Sequence, residues 1–215
     1  MKSVFFFLCL PFAIFSCNNS NQKNVVDHSG HVAHDTAAIM DTTQVSGIKG
    51  TMNAMMQSMH NLRPTGNNDI DFTAMMIEHH KGAVDMSKIE IEKGINAEMK
   101  AFAKKVIEQQ DKEIIFMQEF ISKAAKNISA NASDFQKALN GSMMAMMNNN
   151  TPAYQDTDMD FAAQMIPHHQ SAVDMAKAYL EFGKEPGLRI VCQNIIASQS
   201  KEISWLKGWL AKKNL

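Results

Sequence analysis

The chain has 215 residues, of which 45% are apolar and 20% charged, with a net charge of −1. That length supports a sizeable core, the balanced charge disfavours nucleic acid as a partner, and 3 Cys are too few for a disulfide framework. Only 7% aromatics and no alternating β-branched runs argue against an all-β fold, while 18 Met and 8 His supply soft sulfur and borderline nitrogen donors in unusual number.

Residues 1–16 read as a secretory signal peptide. Lys2 gives the positive start, and residues 4–15 form an apolar run too short to remain as a spanning helix. Ser16-Cys17 closes it as a bacterial lipobox does, although Phe15 is bulkier than the usual residue there. The expectation is a mature chain that begins at a lipidated Cys17 and faces the periplasm from the membrane. Asn rather than Asp at residue 18 favours the outer membrane; an ordinary signal peptide cut nearby is the other reading. Residues 17–43 read as a flexible tether. It carries His28, His31 and His34 at equal spacing, a tract of the kind that binds divalent ions loosely.

The remainder is duplicated. Residues 69–88, DIDFTAMMIEHHKGAVDMSK, align with residues 158–177, DMDFAAQMIPHHQSAVDMAK, at an offset of 89 with thirteen of twenty identities. Repeat 1 spans 44–126 and repeat 2 spans 127–215, together one domain. Each repeat reads as three helical segments: a short Met-rich one over about 44–60 and 134–148, one with the His pair over about 69–93 and 158–182, and a long amphipathic one over about 95–124 and 186–213. Turn-rich stretches at 64–68, 127–133 and 148–152 separate them, and Asp69 and Asp158 are N-terminal signals for the His helices. The expected fold is all-α: a ferritin-like four-helix bundle from two internal repeats, with short Met-rich flanking helices. Cys192 falls in an apolar stripe as a small core residue.

The His segment puts Met76, His79 and Met86 on one helix face, with His80 one step round; Met165, His168, Met175 and His169 repeat this. Di-iron bundles place Glu three residues before such a His. Met stands there in both copies, which exchanges a hard donor for a soft one and favours Cu(I), with Ag(I) as its mimic, over iron. A Met stripe in one copy alone would read as core filler; two adjacent His kept twice with the same flanking Met read as metal ligands. Each pair shares a helix with its own Met, so each copy is expected to assemble its cluster by itself. Gln110 and Glu113, and Gln199 and Glu202, interrupt the apolar stripe of the third segment. They read either as groups that orient the His pairs or as polar locks between helices. Met52, Met55, Met56, Met59 and His60, and Met143, Met144, Met146 and Met147, read either as core or as further copper donors, since thioethers survive where thiols oxidise. Pro167, in place of Glu78, is expected to bend its helix beside the second His pair.

The repeated pattern D-x-D-F-x-x-x-M-I-x-H-H-x-x-A-V-D-M, followed by Q-x-x-E-I, resembles a bacterial family labelled a domain of unknown function that includes a periplasmic copper-binding protein. The resemblance covers about residues 45–213. It implies a ferritin-like helical bundle and a role in copper binding and tolerance, with Met76, His79, His80 and Met86, and Met165, His168, His169 and Met175, at the motif positions. The function expected is a non-catalytic envelope protein that sequesters Cu(I) or passes it to a delivery partner. A copper-dependent redox enzyme, such as a Cu(I) oxidase, and a structural lipoprotein with a Met-rich core are the alternatives. No nucleophile is paired with a general base, so hydrolase chemistry has no support.

Overall fold

A computed structural model describes residues 47–148 and 150–213, all within one unit that spans 42–215. Cys17, His28, His31 and His34 lie outside the described residues. The elements, in chain order, are α1 (Ile48–His60), α2 (Asn68–Lys93), α3 (Ala97–Lys123), α4 (Ala132–Ser142), α5 (Met144–Met147), α6 (Thr157–Phe182) and α7 (Pro186–Ala211). Helices are the only regular elements among the described residues, and none is long and apolar enough to cross a membrane.

Four long helices form the bundle. The His helices α2 and α6 pack against each other; α3 lies beside α2 and α7 beside α6. α3 and α7 meet through side chains: Phe102 stacks on Trp205 at 4.6 Å between ring centroids, and Gln109 donates to Ser198 at 2.9 Å. α1 rests on α2 and α6, α4 on α6 and α2, and α5 on α6. The core is Met-rich, because unbranched thioether chains fill gaps between helices that branched residues cannot. Gly82 shows how tightly α1 is seated: a Cβ there would run into the Met55 side chain.

Capping explains where the long helices begin. Asn67 accepts from the backbone N–H groups of Asp69 and Ile70, Asn96 from Met99, Asp156 from Met159 and Glu185 from Leu188. Asp69 and Asp158 stand in the first turns of α2 and α6, as expected of N-terminal signals, and they also reach across the repeat boundary. Asp158 accepts from the N–H groups of Ile95 and Asn96 at 3.0–3.2 Å. Asp69 accepts from the Tyr179 hydroxyl and from the N–H of Lys184. These exchanged contacts are the mark of a pseudo-twofold relation between the copies.

One local expectation changes. The segment at 134–148 is not one helix: it breaks at Met143 into α4 and α5. Gly141 and Ser142 are weak helix formers, and Ser142 turns its hydroxyl back onto the Leu139 carbonyl at 2.6 Å. Pro167 lies inside α6, which runs through it from Thr157 to Phe182; its missing N–H costs one rung of the ladder.

Candidate metal centre

The helical period carries both His pairs to the bundle centre, where His79, His80, His168 and His169 are all fully buried. The pairs do not form separate clusters. The rings of His79 and His168 pack on each other across the α2–α6 interface, with centroids 3.7 Å apart and planes inclined at 34°. The expectation of one self-contained site per copy therefore fails: α2 and α6 present corresponding residues to each other, and the two pairs make one centre.

The tautomers follow from the partners. His168 Nε2 lies 3.0 Å from the carbonyl oxygen of His79; a carbonyl only accepts, so Nε2 carries the proton and Nδ1 the lone pair. His80 Nε2 lies 2.6 Å from Glu113 Oε2 on α3, so this nitrogen carries a proton toward the carboxylate. His169 Nε2 stands 2.9 Å from Glu202 Oε2 on α7, off the hydrogen-bond direction. Nδ1 of all four rings is buried without a partner, and His79 Nε2 is too. Buried polar atoms are rarely left so. Their concentration in one place singles out these rings as candidate ligands.

Electrostatics keeps these nitrogens available. Burial holds His79 well below the usual histidine range, and the neighbouring His168 pushes it further. Burial, then His169, does the same to His168. Both rings are neutral at neutral pH, so a cation meets free lone pairs rather than protons.

The flanking donors are sulfur. Met76, Met86, Met165 and Met175 are each fully buried on the same two helices. The carboxylates nearest the rings, Glu113 and Glu202, are committed to His80 and His169 from the partly exposed edge of the bundle. Among the described residues no three His, Cys, Asp or Glu side chains form a ready cage for a metal ion. A hard, high-coordination ion is therefore poorly served. A soft ion content with a few imidazole and thioether ligands fits the donor set.

The other candidates divide. Gln110 and Gln199 are buried, yet the Gln110 amide oxygen and both polar atoms of the Gln199 amide lack partners. Met52, Met55, Met59, Met143 and Met146 are buried, Met56 is half-buried, and Met144, Met147 and His60 are exposed. The Cys192 thiol is fully buried, and desolvation pushes its pKa far up. Two features escaped the sequence reading. Met75, beside Met76, lines a surface cleft; the repeat alignment marks it, since copy 2 has Gln164 there. Glu90 is fully buried against Asp158, and desolvation and that second carboxyl raise its pKa to about 8. No local pattern signals such a pairing 68 residues apart.

Fold and side chains together define a class: an all-α bundle with four buried imidazoles on its two central helices, which also carry buried Met. The chain belongs to the family described as Domain of unknown function (DUF305), whose profile matches residues 19–121 and 69–210. Solved structures of CopM are similar to it. The Cu(II)-bound form matches with a TM-score of 0.53 at 29% identity. The apo form and the Ag-bound form obtained by co-crystallization each match at 0.52 and 31%. Each match covers 67% of this chain and 96% of CopM. No functionally curated protein sequence matches the chain.

Proposed function

We propose that this protein binds copper as Cu(I) at the His79/His168 centre and holds it in the cell envelope, so that it sequesters the ion or passes it on. The observation that carries the reading is the set of four buried imidazoles whose Nδ1 atoms have no partner, on two helices that also carry four fully buried Met. Thioether and neutral imidazole together select a soft monovalent ion. Glu113 and Glu202 orient the outer rings of His80 and His169, as carboxylates orient metal-bound His elsewhere. The similarity to CopM, solved with Cu(II) and with Ag, supports a copper role. The signal-like N-terminus with Cys17 supports an anchored, periplasm-facing location.

The test is an anaerobic Cu(I) titration against a competing chelator, on the full chain and on His79→Ala with His168→Ala. Tight binding in the first and its loss in the second, with helical content kept, is the expected result. A parent protein that takes up no Cu(I), or that holds Fe(II) or Zn(II) as tightly, overturns the reading.

A further inference from the structure

A cleft of about 260 Å³ opens between α1, α2 and α4, away from the His centre. Its walls include Met59 from α1, Met75 from α2 and Met143 from the α4–α5 break, with His60 and Arg63 at the rim. The three Met are almost wholly buried, at 1%, 7% and 9% exposure, whereas His60 and Arg63 are exposed. We propose that this cleft is a second soft-metal site, a vestibule where the thioethers of Met59, Met75 and Met143, with the His60 imidazole, take up Cu(I) or Ag(I) from solution. The proposal extends the copper reading given above to a site of entry.

Four observations support it. First, the hard donor in the cleft is already spent: Asp71 accepts from the Thr65 N–H and hydroxyl and from the Gly66 N–H at 2.6–3.1 Å. Gln136 and Asn140, also on its wall, bond each other at 2.9 Å. Apart from the neutral Gln136 amide oxygen, sulfur and one imidazole are the side-chain donors left over. Second, the exposed Arg63 guanidinium repels a divalent ion twice as strongly as a monovalent one, because the Coulomb term scales with charge. Third, the second copy does not repeat the Met75 wall of the cleft. At the position equivalent to Met75, Gln164 bonds Asp160 and the Pro152 carbonyl, both at 3.3 Å. In that copy an amide ties down the loop where repeat 1 presents sulfur. Fourth, Met75 and Met76 are consecutive on α2, and Met76 is fully buried on the face that carries His79. A single helical step thus leads from a thioether on the cleft wall to a thioether in the core.

The experiment uses the full chain with methyl-labelled Met and Ag(I) as a redox-inert probe, read by NMR, with bound silver counted in parallel. Shifts of the Met59, Met75 and Met143 methyl signals are expected in the parent, and also in His79→Ala with His168→Ala, where the centre is disabled. Met75→Leu with Met143→Leu keeps the volume and apolarity of the walls. It should lose about one equivalent of silver and slow Cu(I) uptake several-fold, while the Met76 and Met165 signals still shift. If the three cleft signals stay still while Met76 and Met165 respond, the vestibule is refuted and the central site stands. If the cleft signals respond and those of Met76 and Met165 do not, the vestibule stands and the central reading falls. A cleft response that vanishes in the His variant also overturns the proposal, since the site is then not independent. The arm on the parent protein holds even if the Leu variant fails to fold.

Discussion

Glu90→Gln tests the electrostatics of the bundle end most directly. Glu90 is fully buried and faces the Asp158 carboxylate, which is itself engaged by two backbone N–H groups. Protonated, Glu90 can donate to Asp158; ionised, it has no partner at all. Its pKa stands at about 8 in the fold against an ordinary 4.5. Between those values the folded state binds the extra proton, so stability falls as pH rises through the window. Each pH unit is worth about 1.4 kcal/mol, so the loss from pH 5 to pH 8 is on the order of 3–4 kcal/mol. Gln keeps the shape and donates to Asp158 at every pH. The variant should match the parent near pH 5 and exceed it by roughly 10 °C in Tm near pH 8, on the usual conversion for this size. Thermal unfolding of both metal-free proteins from pH 5 to pH 8 is the assay. His79 and His168, with lowered pKa values, destabilise the fold as pH drops, and they act equally in both chains, so the difference curve isolates Glu90. Parallel curves for the two proteins would refute the buried carboxyl pair.

Other consequences are testable with simpler means. Glu113→Gln with Glu202→Gln should weaken Cu(I) affinity about 10–100-fold, the usual cost of losing a group that orients a ligand, with stoichiometry unchanged in a chelator titration. Met76→Leu with Met165→Leu conserves volume and should cost under about 1.5 kcal/mol of stability, yet narrow the preference for Ag(I) over Zn(II) in competition binding; an unchanged preference would show those Met to be filler. Cys17→Ser should move the protein from the membrane to the soluble fraction, and unaltered fractionation would remove the lipid anchor from the account.

Much of this architecture was readable in the residues. A period of 3.6 and an internal duplication give the four long helices to within a residue or two, and the Met-His-His pattern singles out the side chains that reach the centre. Periodicity assigns a residue to a face but not to the neighbour it meets. For that reason His79 against His168 and Glu90 against Asp158 emerge only from the packing of α2 on α6. The break at Met143 escaped because a run of Met continues across weak helix formers. Met75 escaped because a lone Met beside an apolar stripe looks like its neighbours until the cleft beside it is seen.

The stacked imidazoles have a consequence for how the centre comes into being. One ring comes from each copy, so half the chain holds half a site. Two separate halves would have to find each other, and the centre would dissolve on dilution. Joining them through the short connection between α3 and α4 makes that encounter intramolecular, with an effective concentration in the millimolar range for a linker of this kind. The centre then forms at any abundance of the protein. The halves are also always present in equal number, and each is free to drift from the other at positions such as Met75 and Gln164 without losing its mate.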